Sequence, residues 1–149
     1  MTAILTTVNS VEPLGDNLSV VKVDGIDANI IANKTEDGSF RWAVGEVCVY
    51  VNEGSIIPED VLKERGYWDD VKDRGLLDGG ARNRVKMKKM AGVESRGLIF
   101  KTHSANVTIP VDGPEDAPVH YLVQRGQAFH SATVGEDVAE FLSIEDFAA

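Results

Sequence analysis

Short apolar segments separated by turn residues run along most of the chain. Extended segments are predicted at residues 3–11, 18–23, 26–33, 39–44 and 46–52, because apolar residues recur along them and turn residues bound them. Asp24-Gly25 lies between two of these segments, and this dipeptide readily adopts the positive φ angles of a type I′ hairpin turn. The pattern therefore predicts a series of short strands that pair as hairpins.

Two helices are predicted among these strands. Residues 56–66 read IIPEDVLKERG, in which Pro58 suits the first helical position, the two acids after it suit the positive end of the helix dipole, and Gly66 ends the helix. The sequence also predicts a terminal helix at residues 138–144. Five or more strands with one short helix before the last of them predict a mainly β fold, an OB-fold small barrel with a C-terminal helix.

The segment RNRVKMKKM, residues 82–90, carries the most informative pattern. Every second residue is basic, so a strand would place four cations on one face: Arg82, Arg84, Lys86 and Lys88. Val85 and Met87 take the other face and can enter the core. OB-folds bind oligonucleotides on such a face, and cations there contact phosphates. The alternative is a merely solvated strand.

Two aromatic residues, Phe40 and Trp42, either stack on bases or pack the barrel.

The charge distribution sharpens this prediction. The 149-residue chain has a net charge of −9, yet residues 81–101 hold seven basic residues and one acid, Glu94. That segment carries +6 and the remainder −15, and the last sixteen residues hold five acids and no base. Phosphate contacts depend on local potential, so a polarised chain of this kind suits a one-sided nucleic-acid surface.

Composition and length indicate the number of domains and the cellular location expected of the protein. The length suits one domain, and no apolar run approaches the ~20 residues that span a membrane. The first residues lack the basic and apolar regions of a signal peptide, so a cytoplasmic location without membrane contact is expected. Cys48 is the single cysteine, and its apolar neighbours in VCVYV predict a buried structural thiol.

Several segments together resemble one family. GEVCVYVNEGSIIPEDVL, ERGYW and RNRVKMKKMAGVESRGLIF, with VVKVDGIDANIIAN before them and VGEDVAEFLSI after them, cover about two thirds of the chain. They resemble the N-terminal OB domain of Deinococcus-type, nick-sealing ATP-dependent RNA ligases. The family's Arg-Gly-Val-x-Ser-Gln-Gly turn reads AGVESRG here, so Ala91 replaces an arginine that is frequent in the family and Arg96 replaces a glutamine.

The resemblance implies a non-catalytic module that positions RNA, as a nicked duplex or a single strand. Lys89 and Arg96 would extend the track of the four alternating cations. The implied partner is a ligase nucleotidyltransferase domain, in cis or in trans, and ATP and a divalent metal would serve that domain; no cofactor is expected for this chain. Residues 1–133 would form the OB domain, with 101–133 as an insertion or extra hairpin, and 134–149 an acidic helical tail or linker.

Other functions remain open at this level. KMAGVESRG also resembles the tRNA-binding OB domains appended to some aminoacyl-tRNA synthetases, although these lack the GSIIPEDVLKERGYW pattern. A protein-interaction module that docks through its acidic surface is a further alternative.

The stretch KVDG raises the possibility of catalysis. Nucleic-acid ligases and capping enzymes attach a nucleotide to the lysine of a Lys-x-Asp-Gly motif, which would make Lys22 a nucleophile. A lysine nucleophile needs a lowered pKa, and nothing near an Asp-Gly turn provides one, which favours a solvent-facing strand lysine. The three histidines, His103, His120 and His130, have no ligand-like spacing, so surface or hydrogen-bonded histidines are expected.

Overall fold

The computed structural model describes residues 3–33, 39–65, 67–69, 71, 74–75, 85, 88–90, 92–102 and 121–146. The strands are β1 (Ala3–Leu14), β2 (Leu18–Val23), β3 (Ile30–Asn33), β4 (Val47–Val51), β5 (Ser55–Ile56), β6 (Trp68–Asp69), β7 (Arg74–Gly75), β8 (Lys88–Met90), β9 (Val93–Ser95), β10 (Leu98–Phe100), β11 (Tyr121–Arg125), β12 (Ala128–Ala132) and β13 (Glu145–Asp146). The helices are α1 (Glu59–Arg65) and α2 (Ala139–Leu142).

One antiparallel sheet forms the body of the molecule, with the strand order β10–β4–β1–β2–β3. The long strand β1 serves two neighbours, since residues 3–7 pair with β4 and the remainder pairs with β2. The register with β2 shifts between Val8 and Ser10, an irregularity of the kind that bends a strand. The sheet curls into a nearly closed barrel. This confirms the predicted fold class, a mainly β, OB-like small barrel with one short helix between strands and a C-terminal helix.

Strand β4 is buried on both faces, which explains its unbroken apolar sequence VCVYV. Cys48 and Tyr50 belong to a core cluster with residues of β1, β2, β3 and β10. Val49 and Val51 belong to a second cluster, which includes residues of α1, β11, β12 and α2. Successive side chains of a strand point to opposite faces, so both faces of β4 must be apolar. The helices and the β11–β12 pair therefore form an outer layer over the barrel.

Helix α1 forms where the sequence predicts it. The N–H of Leu62 donates to the carbonyl of Pro58 at 3.1 Å, and Val61 and Leu62 are buried. At the end of the helix, the buried Arg65 guanidinium donates to the carbonyls of Lys101 (3.0 Å), Thr102 (2.8 Å) and Gln124 (2.6 Å). Arg65 thereby ties α1 to the end of β10 and to β11.

Four local predictions differ from the structure. Residues 24–29 join β2 to β3, so Asp24-Gly25 is not a two-residue type I′ turn. The N–H of Asp24 donates to the Thr7 carbonyl at 2.9 Å and its carbonyl accepts from Thr6 Oγ1, so the chain stays on β1; only Gly25 of the pair has a positive φ, +79°.

The second difference concerns β1, which continues past the predicted end to Leu14. Pro13 lies inside it, opposite Ser19 of β2. In this second half β1 pairs with β2 alone, so its other edge has no partner strand. Proline lacks an N–H and is tolerated at such an unpaired edge. The third difference is that residues 39–44 form no strand. Trp42 there is 6% exposed and packs in the barrel cluster.

The fourth difference lies near the chain end, where the predicted helix 138–144 is shorter. α2 ends at Leu142, Ser143 after it has a φ of +54°, and the chain then extends into β13, which pairs with β5. Burial of Ile144 and the pairing with β5 stop the helix early. Within residues 101–133, predicted as an insertion or extra hairpin, β11 pairs with β12, and residues 103–120 lie outside the described residues.

Candidate nucleic-acid interface

The β8–β9 hairpin contains the described end of the predicted basic segment, since β8 covers Lys88–Met90. Lys88 lies opposite Ser95 and Lys89 opposite Glu94 in the register. Gly92 at the turn has a φ of +81°, a conformation that glycine adopts without steric cost. Gly92 therefore lies in the turn between β8 and β9, and Ala91 before it lies outside the described residues.

Two hydrogen bonds attach this hairpin to the open side of the sheet. The buried Ser95 hydroxyl accepts the N–H of Ile31 on β3 at 2.9 Å. The next residue, Arg96, donates its N–H to the carbonyl of Asn29, also at 2.9 Å. The β8–β9 hairpin thus covers the edge of β3. The Ser95 hydroxyl takes the place of the backbone carbonyl that would accept the Ile31 N–H in a regular strand pairing.

Arg96 is held at its backbone and at its side chain. Its carbonyl accepts the Tyr50 hydroxyl at 3.0 Å. Burial, with the Glu53 charge adding, raises the pKa of Tyr50, so the phenol stays protonated as a donor. The Arg96 side chain is 51% exposed, and its two terminal nitrogens contact carboxylates of Glu53 (3.0 Å) and Glu94 (3.4 Å).

The predicted interface residues fall into three groups. Arg96 is described completely, Lys88 and Lys89 are described only as members of β8, and Arg82, Arg84 and Lys86 lie outside the described residues. Val85 is buried, as predicted, but lies outside any named strand. Its N–H donates to the Ser55 carbonyl and its carbonyl accepts from Gly54, so this part of the segment bonds to the β4–β5 connection.

Solved structures supply a comparison for this barrel. Naegleria gruberi RNA ligase with PPi is 23% identical, with a TM-score of 0.56, over 99% of this chain and 35% of that chain. A mutant of that ligase with ATP and Mn is 22% identical, with a TM-score of 0.56, over 98% of this chain and 35% of that one. An apo mutant is 22% identical, with a TM-score of 0.55, over 97% and 34%.

The chain has the fold of a region of an RNA ligase. It spans about a third of the length of the ligase chains that it matches. No protein-family model matches the chain, and no curated protein matches it.

Lys22, the candidate nucleophile, lies on β2 opposite Ser10 with an exposed side chain. Within the described ranges, no group of three or more histidines, cysteines or acids is arranged to hold a metal ion. The surroundings of Lys22 are those of a solvent-facing strand residue.

Trp42 packs the barrel, with the Lys101 ammonium 3.9 Å from its ring centroid, whereas Phe40 is 43% exposed.

Of the three histidines, His130 lies in the described part of the chain and has structural partners. His130 Nε2 lies 2.6 Å from a carboxylate oxygen of Glu136, and its ring stacks on Phe141 with centroids 5.3 Å apart. His103 and His120 lie outside the described residues. Cys48 is fully buried, as predicted, and this burial, with the Glu46 charge adding, raises the pKa of its thiol to about 12. No described helix has the length and apolar character needed to cross a bilayer.

Three residues of this region have no signal in the sequence. Ser95 appears as an ordinary turn serine, Tyr50 as a core residue and Glu53 as a loop acid. Glu53 meets Arg96 across 43 positions, and Ser95 meets Ile31 across 64.

Proposed function

We propose that this chain is an RNA-binding OB module of an ATP-dependent RNA ligase, of the nick-sealing, Deinococcus-like type. The observation that carries this proposal is the fold likeness over 97–99% of the chain to about a third of an RNA ligase. The sequence resemblance in residues 45–100 points to the same class of protein. The module positions nicked or single-stranded RNA and performs no chemistry alone.

The mechanism is electrostatic positioning. Residues 81–101 carry +6 in a chain whose remainder carries −15, so phosphates are attracted to this segment and repelled elsewhere. The proposed contacts are those predicted above: Arg82, Arg84, Lys86, Lys88, Lys89 and Arg96. Such contacts hold the backbone in place without reading the sequence.

The partner in this proposal is a ligase nucleotidyltransferase domain, joined in cis or recruited in trans. ATP and a divalent metal act in that domain. In agreement with this division of labour, Lys22 is an exposed strand residue.

The test compares RNA binding of the wild-type chain with Lys86→Glu/Lys88→Glu by fluorescence anisotropy. We expect about tenfold or greater weakening, because two charge-assisted interactions become repulsive, and a salt slope smaller by roughly one unit for each phosphate interaction removed. The matched control is Lys22→Glu/Lys63→Glu, which changes net charge equally at exposed sites on β2 and α1. Equal affinities of the two double variants would show that net charge, and not the basic segment, governs binding.

Titration with other RNAs and a labelling assay with ATP separate the alternative functions. Preference for folded tRNA over a nicked duplex would indicate the tRNA-binding type of OB domain. Transfer of labelled AMP to the wild-type chain, lost in Lys22→Ala, would indicate an enzyme and overturn the non-catalytic assignment. Absence of RNA binding at low salt would remove the proposal altogether.

A further inference from the structure

The Arg96 guanidinium already has anionic partners on both of its terminal nitrogens. Nη1 lies 3.0 Å from Glu53 Oε1, and Nη2 lies 3.4 Å from Glu94 Oε2. Glu53 comes from the β4–β5 connection and Glu94 from β9, so two separate elements converge on one side chain. All three side chains are about half exposed, at 51%, 41% and 52%.

The backbone of Arg96 keeps this side chain at a defined place. Its N–H is bonded to Asn29 and its carbonyl to Tyr50, so the residue is held from both sides of the peptide chain. Glu94 is also the cross-strand partner of Lys89 in the β8–β9 register. Glu94 thus belongs to the basic segment itself, whereas Glu53 reaches Arg96 from the β4–β5 connection.

A phosphate and these carboxylates compete for the same N–H groups. Arginine binds phosphate through a fork of parallel N–H donors, and here carboxylate oxygens fill both tips of that fork. Exposed ion pairs are weak, so an RNA phosphate can displace the two acids, but it does so against their attraction to Arg96. Once displaced, the two carboxylates attract cations from solution. This uptake reduces the net number of counterions that are released when RNA binds.

We propose that Glu53 and Glu94 are intramolecular competitors that set the RNA affinity and salt dependence of this surface through Arg96. This inference rests on the proposed function and adds two residues that determine how strongly the site holds RNA. Their attraction to Arg96 weakens the binding of every ligand phosphate that reaches this guanidinium. Ligands that do not reach Arg96 respond only to the negative charge that the two acids add to the chain.

The test is a double-mutant cycle with a nicked RNA duplex as the probe. Glu53→Gln/Glu94→Gln is measured in the wild-type background and in the Arg96→Gln background by fluorescence anisotropy. In the wild-type background we expect about two- to tenfold tighter binding, from the loss of two exposed ion pairs, and a steeper salt slope. In the Arg96→Gln background the gain should fall to that of the control.

The control is Glu59→Gln/Glu140→Gln, which removes the same charge from exposed positions on α1 and α2. Equal gains in the two backgrounds, while wild-type protein binds RNA, would overturn this inference and leave the proposed function intact. Absence of RNA binding by every variant would overturn both. Unchanged thermal unfolding temperatures of the glutamine variants verify that the fold is retained.

Discussion

The ring of Tyr50 lies directly against the backbone of Gly97. A Cβ atom placed on Gly97 would lie 2.4 Å from Tyr50 Oη and 2.6 Å from Cε2 and Cζ, and the φ of Gly97 is +95°. The Tyr50 hydroxyl meanwhile donates to the carbonyl of Arg96, the preceding residue. A bare glycine therefore allows the buried phenol to fasten the chain that carries Arg96.

We predict that Gly97→Ala lowers the free energy of unfolding by about 2–4 kcal/mol. The left-handed conformation costs a side chain roughly 1–2 kcal/mol, and displacement of Tyr50 removes about one hydrogen bond in addition. Urea denaturation measures the loss.

Gly45→Ala is the matched control for this variant, because Gly45 has a similar φ of +91° but no atom within 4 Å of the place that a methyl group would take. It should show only the backbone cost. Equal losses for the two variants would mean that the contact with Tyr50 imposes no constraint.

Arg65 is predicted to be a major contributor to stability. Its side chain is only 1% exposed and bonds to three carbonyls and to Glu64, and burial lowers its pKa from the ordinary value. Arg65→Met leaves these acceptors without their donor, so we expect a loss of about 3 kcal/mol or more in urea denaturation.

Lys63→Met on the same helix provides the comparison for Arg65. Lys63 is 49% exposed and forms an i,i+4 pair with Glu59, an interaction that contributes a few tenths of a kcal/mol. Helix propensities of Arg, Lys and Met are similar, so propensity does not confuse the comparison. Losses of the same size in both variants would contradict the role of Arg65 as a tie between α1 and the strands.

The Cys48 thiol predicts a dependence of stability on alkaline pH. Its pKa is raised from 9.0 to about 12 in the folded chain, so the folded state favours the protonated thiol. This stabilisation is complete below pH 9 and is lost as the pH rises from 9 to 12, because the unfolded chain loses the proton first.

The measurement is the difference in unfolding free energy between wild type and Cys48→Ala as a function of pH. We expect a constant difference below pH 9 and a decrease above it, since the tyrosines titrate equally in both proteins. Thiol reagents should react slowly with native protein at pH 8 and rapidly after unfolding. Rapid modification of the native protein would show that the thiol is accessible.

Local sequence was sufficient to predict the class of the fold and several of its parts. Helix α1 was predicted from Pro58, the acids after it and Gly66, all within one short segment. The burial of Cys48 follows from the apolar run VCVYV. A strand needs an unbroken apolar run when both of its faces are covered, as those of β4 are. These features depend on neighbours along the chain, where propensity and periodicity operate.

The pairing of distant segments became visible only in the folded chain. Asp24 bonds back to β1, Ser95 accepts the N–H of Ile31, and Glu53 meets Arg96, all across at least 17 positions of the chain. Each pairing depends on the register and curvature of the whole barrel, because partners far apart in sequence meet only after the sheet has closed. The basic pattern predicts a phosphate-binding surface and this stays a prediction, whereas the acids that contact Arg96 are brought to it by the tertiary fold.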